Sequence, residues 1–349
     1  ISDLELEKLF KKLRKSILLN LSSLKEASPE LIEFQSALAL QCFTNEYIYS
    51  STDEEEKIVW SLAAKVKKAF KNNDQPSPQV ILALASYRAL NQYDWYNLLV
   101  VTDEIQEVYN RQVVEPLKEI DLKLNIPVLG EITDNISSQV RQQYEESPYP
   151  RWVKLGLPLQ PISISKVVDE IKLKLHDNKI NEIEKPDILI AGCGTGQHSI
   201  EAATRFRFSK VLAIDLSLSS LAYAKRKTEE LDIGNIEYIQ ADILDLTQLN
   251  KRFDIIESAG VLHHMDNPMA GWKVLTDCLR PGGLMRIGLY SELARQHIVE
   301  IRKEISQTGI GSSHSEMKSF RKTVMKSDQN HHKQILNISD FYSLSELKD

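Results

Sequence analysis

Residues 188–202 read ILIAGCGTGQHSIEA: an apolar run, glycines at positions 192, 194 and 196, then a helical pattern. The unbroken apolar run suits a strand buried on both faces, and glycine at alternate positions allows a sharp turn with no side chain in the way. A strand, a glycine turn and a helix in that order make a βα unit. Turns of this kind bring backbone N–H groups up to a bulky polar ligand at the start of the helix.

The same grammar runs on from about residue 160. PDILIAGCG, KVLAIDL, IEYIQAD, FDIIESAG and LMRIGLY read as five short apolar strands. Helical patterns lie over Ile164–Leu175, from Gln197 towards Phe206, over SLSSLAYAKRKTEEL and over Met269–Leu279. Alternation of this type predicts an α/β fold, a mostly parallel sheet covered on both faces, with its ligand beyond the carboxyl ends of the strands. Residues 1–142 show no convincing strand. Their apolar residues recur at three- and four-residue spacing, for example in EEEKIVWSLAAKVKKAF, and predict a compact all-α domain. A steady ~34-residue helical repeat is not visible. The acidic run Asp53–Glu56 reads as a first helical turn, with Thr52 and Glu55 as a capping box. The expected organisation is therefore a helical domain (1–142), a Pro/aromatic strap or linker (143–160) and a ligand-binding α/β domain (161–349).

With 349 residues the chain has ample material for two domains. Its net charge of −6 argues against a broad basic surface for nucleic acid. No apolar run approaches the ~18–20 residues of a membrane-spanning helix. Ile1 opens no signal-peptide pattern, so a cytoplasmic protein is expected. The three cysteines, Cys42, Cys193 and Cys278, are too widely separated for a metal pair or disulfide framework and read as small buried hydrophobes.

The turn is Gly192-Cys193-Gly194-Thr195-Gly196. A dinucleotide fingerprint needs a glycine or small residue where Gln197 stands, and no lysine follows to make a phosphate loop. Asp215 ends the second predicted strand, where a carboxylate can accept both hydroxyls of a ribose, whether of NAD or of S-adenosylmethionine. Asp242, ending the third, can accept from an adenine amino group, with Leu216 and Ile243 offering apolar faces to the ring. Either acid could instead be a turn or N-cap residue, which aspartate favours.

With these residues in that order, DILIAGCGTGQHS, VLAIDLS, IEYIQADI, FDIIESAGVLHHMDNP and LRPGGLMRIGLYS, the stretch from about 185 to 292 resembles the class I S-adenosylmethionine-dependent methyltransferases. The resemblance implies a Rossmann-like fold and S-adenosylmethionine as cofactor, with S-adenosylhomocysteine as product. It implies that the turn Ala191, Gly192, Cys193, Gly194 and Gly196 approaches the methionine moiety. Asp215 would hold the ribose and Asp242 the adenine edge. The loop from Ser258 to His263 would close one side, and LRPGG would be the turn before the fifth strand. QYEESPYPRW, residues 143–152, is similar to a Y-E-x-x-P-Y-P-R-W stretch in poorly characterised bacterial methyltransferases, some joined to TPR-like helical segments. Two prolines hold such a segment extended. It would act as a lid in which Tyr149, Arg151 and Trp152 touch the methionine carboxylate or frame the acceptor, or as a rigid linker, or both.

Methyl transfer needs an acceptor with a free lone pair held in line, and a base where the acceptor carries a proton. His263 and His264 stand beside the expected cofactor. One could be that base, or both could hold the loop. Tyr149 and Tyr290 are further candidates to line the acceptor. No metal is expected: the loop of ubiquinone-biosynthesis O-methyltransferases carries acidic ligands, whereas here Gly260, His263 and His264 take the matching places. An Asn-Pro-Pro-Tyr type tetrapeptide is absent after FDIIES, and so is a paired-glutamate loop of the arginine-methylating kind. The acceptor, a protein side chain or a small metabolite, stays open; a non-catalytic binding or scaffold protein and an NAD oxidoreductase are the other classes. Residues 307–349 are polar, with no strand pair to complete a seven-stranded sheet. The expectation there is a lid-like insertion or a fold that continues beyond the chain, an exposed sheet edge available for homodimerisation, and solvated histidines at 331 and 332.

Overall fold

The computed structural model describes residues 2–21, 27–146, 148, 150–158 and 160–348. The chain forms two compact units, residues 1–117 together with 292–349, and residues 118–291. Among the described residues no helix is long and apolar enough to cross a membrane.

Helices of the first unit begin where the sequence supplies caps. α1 (Leu4–Asn20) starts on Asp3, α2 (Pro29–Thr44) on Ser28 followed by proline, and α3 (Asp53–Lys71) on the expected Thr52/Glu55 capping box. α4 (Pro78–Ala85), α5 (Asp103–Tyr109) and α6 (Glu115–Lys123) follow, and the division between units falls inside α6. The core holds Ala39, Val59, Ile81, Leu84, Trp95 and Val108. Gln112, in a π-helical turn before α6, is buried but satisfied, donating to the Ala39 and Ala85 carbonyls and accepting from the Leu90 N–H.

The second unit contains α7 (Asn135–Glu146), α8 (Ile164–Glu170), β1 (Asp187–Ala191), α9 (Gln197–Arg205), β2 (Lys210–Asp215) and α10 (Leu218–Glu230). β3 (Ile236–Gln240), β4 (Phe253–Ala259), α11 (Pro268–Asp277) and β5 (Leu279–Gly288) complete it. All five strands run parallel in the order β3-β2-β1-β4-β5. Along β1, Ile188 and Ile190 join the core on one face, Leu189 and Ala191 that on the other. The strand order reverses between β1 and β4, so the segments after these two strands open the crevice where ligands of such sheets bind. The edge at β3 is met by the loop after α6, where Gln240 exchanges hydrogen bonds with Pro127 and Leu129. LRPGG is not ahead of β5 but inside it: Leu279 pairs with Phe253, Leu284 with Ile255, and Arg280–Gly283 bulge out with Gly282 at φ 82°. The turn chemistry is as expected; the strand begins earlier.

Residues 292–349 depart from expectation. They neither lengthen the sheet nor form a solvated tail, but fold into α12 (Gln296–Thr308), α13 (His314–Val324), α14 (Asn330–Ile335) and α15 (Leu344–Lys348) and complete the helical unit. The expected boundaries at 142 and 161 are thereby replaced, since the α/β unit begins at 118 and ends at 291. Met317 and Leu344 pack with Leu38, Cys42 and Tyr49. Arg321 makes a bidentate pair with Glu7 of α1 (2.8 and 2.5 Å) and donates through Nε to the Phe341 carbonyl, with both charged groups buried. His332 is likewise buried, not solvated. All three cysteines are buried, and burial pushes the Cys42 thiol up to about 11. Removing one member of a buried, hydrogen-bonded ion pair leaves the other charge uncompensated, at roughly 3–5 kcal/mol. Arg321→Met is therefore expected to lower the urea midpoint of the helical unit by that order of stability; an unchanged midpoint would show that Arg321 does not hold the C-terminal helices in place.

Candidate functional site

The glycine turn after β1 takes the shape its composition allows. Gly192, Gly194 and Gly196 have φ of 78°, 52° and 92°, the left-handed region where a side chain is strained. A Cβ on Gly192 would lie 2.3 Å from Val261 Cγ2, and one on Gly196 2.6 Å from Ala224 Cβ of α10. The turn is thus seated between α10 and the loop after β4. The N–H groups of Gly192 and Cys193 both donate to the Ile214 carbonyl, each at 2.9 Å, which ties the turn to the end of β2.

Asp215 stands at that end and accepts from the Gly194 N–H at 2.8 Å and the Ser217 N–H at 3.0 Å. Burial raises its carboxyl above the ordinary value; these N–H groups and that of Leu216 oppose the rise, and the nearby Glu145 charge adds to it. Burial and the Asp215 charge also hold the Cys193 thiol far above its usual value, so it is a packing residue and not a nucleophile. Leu216 is half-buried, and its carbonyl accepts from Gln240 at 2.7 Å. Asp242 does what its N-cap alternative foresaw, accepting from the Leu244 N–H at 2.9 Å. Ile243, expected to offer a face to a ring, is buried in the core with Leu246 and Leu262. Ser258, at the end of β4, is buried, and its hydroxyl has no hydrogen-bond partner among the described residues.

The strap lies on the turn. Thr195, fully buried, donates through Oγ1 to the Pro150 carbonyl, and its own carbonyl accepts from Trp152 Nε1 at 3.0 Å. Trp152 is buried edge-on to Tyr223 of α10, whose hydroxyl donates to the Trp152 carbonyl. Arg151, between these two anchors, is half-buried; Tyr149 lies outside the described residues. Ahead of the prolines, Glu145 accepts from the Leu218 N–H at 2.5 Å and the Ser219 hydroxyl at 2.6 Å, placing a carboxylate on the N-terminus of α10. Lys123 pairs with it at 3.5 Å.

His263 and His264 follow β4 in a one-turn 3₁₀ segment, their rings 4.2 Å apart. Tyr290, just past β5, packs its ring against His263 at 4.3 Å with the planes tilted by 41°, and Tyr144 meets His264 edge-on at 6.3 Å. The structure gathers the rings of His263, His264 and Tyr290 and adds Tyr144. Thr195, Glu145 and Tyr144 were not singled out from the sequence. Glu145 and Tyr144 sit in the recognised strap segment, and a polar residue inside a glycine turn was the available signal for Thr195.

Residues 188–283 match the family model described as "Methyltransferase domain". An uncharacterized protein of Synechococcus is 34% identical over 126 residues, 36% of this chain and 30% of that protein. The mitochondrial ubiquinone biosynthesis O-methyltransferase of Dictyostelium discoideum is 22% identical over 158 residues, 41% of this chain and 48% of that enzyme. The (S)-coclaurine N-methyltransferase of Papaver somniferum is 25% identical over 124 residues, 35% of each chain. The chain thus spans less than half the length of each of these relatives. The solved structure of PKMT2 from Rickettsia typhi in complex with AdoHcy is similar at 23% identity, TM-score 0.38, over 48% of this chain and 35% of that one. The strand order is that of a Rossmann-like sheet, and the stretch that matches the methyltransferase-domain model carries the glycine turn, Asp215 and the histidine loop.

If Thr195 holds the strap on the turn, Thr195→Val removes the bond to the Pro150 carbonyl while keeping the volume. We expect about a tenfold weaker binding of S-adenosylhomocysteine by calorimetry, a loss of the size of one buried hydrogen bond. Wild-type affinity in that variant would reduce the strap to a linker.

Proposed function

We propose that this chain transfers a methyl group from S-adenosylmethionine to an oxygen, nitrogen or sulfur nucleophile, with a protein side chain as the leading acceptor. The observation that carries the reading is the bare glycine turn closed on Asp215 by the Gly194 N–H at 2.8 Å, with a strap bonded across it at Thr195. The residues fit the cofactor. The left-handed glycines keep side chains off the turn, Asp215 is a carboxylate at a strand end, and the buried Ser258 hydroxyl is available to a polar group. Ala191, Gly192, Cys193, Gly194 and Gly196 would hold the methionine end, together with Arg151. Asp215 would hold the ribose, Asp242 the adenine edge with Leu216 against the ring, and Ser258 the side of the loop.

When bound, the cofactor supplies an electrophilic methyl on a sulfonium. The chain's own part is to orient the acceptor, keep water out and take a proton. The packed rings of His263 and Tyr290 make a wall, and Tyr144 and His264 form its continuation. His264 or His263 takes the proton of a hydroxyl or ammonium acceptor at a ring nitrogen; Tyr149 belongs to the same proposal as a lining residue. The protein-side-chain reading rests on the large helical unit. A small-metabolite acceptor is the second reading, favoured by the names of the relatives: one is an O-methyltransferase of ubiquinone biosynthesis, another an N-methyltransferase of (S)-coclaurine.

Asp215→Ala is expected to abolish S-adenosylmethionine binding measured by calorimetry, and unaltered affinity would sink the cofactor assignment. Incubation with methyl-labelled S-adenosylmethionine and a bacterial extract separates the two acceptor readings by whether label appears in precipitable protein or in soluble metabolites. Once labelling is seen, His264→Asn and His263→Asn test the base. The one that acts loses about 10²–10⁴-fold in rate with cofactor affinity kept, and full rates in both would assign the pair to holding the loop.

A further inference from the structure

Glu300 and Glu304 lie one turn apart on α12, and α14 brings the adjacent His331 and His332 against them. Both imidazoles converge on a single oxygen, Glu304 Oε2: His332 Nε2 at 2.8 Å and His331 Nε2 at 3.4 Å. The other nitrogen of His331, Nδ1, is 3.2 Å from a Glu300 oxygen. Adjacent helical residues point about 100° apart around the axis, so this convergence needs both rings turned inward, and their centroids are 4.4 Å apart. His332 is only 1% exposed and lies edge-on to Phe320. All these residues belong to the helical unit.

We infer that His331, His332 and Glu304 form a site for a divalent transition metal, zinc above all, with Glu300 as the outer carboxylate. The spacing is near that of a coordination shell, one separation matching it and the 2.8 Å His332–Glu304 contact being shorter. Ligand atoms on a tetrahedral zinc with bonds of about 2.0–2.2 Å stand roughly 3.3–3.5 Å apart. The His331–Glu304 separation of 3.4 Å already has that value. One ligand atom from each of the three residues lies within 4.8 Å of the others. The outer contact has the right chemistry too. A metal-bound imidazole commonly donates its second N–H to a carboxylate, which fixes the tautomer; Glu300 on His331 Nδ1 leaves the Nε2 lone pair facing Glu304. Two nitrogens and one oxygen suit zinc, cobalt or nickel, and not magnesium or calcium, which take all-oxygen shells. Bound metal would staple α14, a helix of six residues and too short to persist alone, to α12.

The test uses the full chain without an affinity tag, stripped with chelator and dialysed. Zinc chloride is titrated by calorimetry, and cobalt chloride by visible absorption. We expect one zinc per chain, the intense visible bands of four-coordinate cobalt, and a melting temperature raised by zinc. Glu300→Gln should weaken zinc about 10–100-fold. His331→Gln should abolish both stoichiometric uptake and the zinc-dependent melting shift. His331 is partly exposed, so its replacement spares the core; if the variant nevertheless fails to fold, zinc stoichiometry and the cobalt spectrum of the wild type decide. No stoichiometric uptake by the wild type, or uptake unchanged in folded His331→Gln, would overturn the site and leave a hydrogen-bonded histidine–glutamate cluster.

Discussion

The carboxyl end of the sheet depends on one close approach, that of the Gly196 backbone to Ala224 of α10, where a Cβ would stand 2.6 Å from the alanine methyl. Such contact is open only to a residue with no side chain opposite one with the smallest. Gly192 makes the matching approach to Val261. Between them they press the turn into a slot whose walls are α10 and the loop after β4. A turn so confined has its remaining backbone groups in known places, and one of them, the Gly194 N–H, meets Asp215. Glycine here has two separate tasks, positive φ and absence of volume, and no other residue type does both.

The strap uses the rigidity this creates. Thr195 offers one donor and one acceptor from inside the turn, and Pro150 and Trp152 take one each. Glu145, a few residues earlier, supplies the anion that the N-terminus of α10 favours and that its own cap, Ser217, only partly provides. That carboxylate also adds to the rise in the Asp215 carboxyl. One acidic side chain therefore fastens the strap and tunes the neighbouring acid, and Lys123 offsets part of its charge.

In the helical unit the corresponding element is the buried pair Glu7–Arg321, which joins the first and thirteenth helices across more than three hundred residues of sequence. Desolvating both charges is costly, and the Nε–H of the guanidinium is met by the Phe341 carbonyl, while its central carbon lies over the Phe341 ring at 4.4 Å. A pair so completely satisfied selects one docking of α13 on α1, because a shifted register would strand a charge.

How much of this was legible follows from the range of the forces involved. Strands, helices, capping box and glycine turn were readable because apolar period, cap chemistry and backbone freedom are local properties. The carboxylates at the ends of β2 and β3 were placed for the same reason. The C-terminal helices were misjudged although Met317, Phe320 and Val324 repeat at helical spacing and Ser313/Glu316 forms a capping box. Their overall polarity hid a narrow apolar stripe. Thr195 and Glu145 lie in segments the sequence marks, but their partners, like the convergence of His331 and His332 on Glu304, depend on which distant segment arrives opposite. The sequence by itself determined the α/β unit, the shape of its turn and the acids beside it. Only the tertiary structure decided that residues 292–349 complete the helical unit and that the strap lies on the turn, because both rest on buried polar contacts between segments far apart in the chain, which periodicity and propensity do not encode.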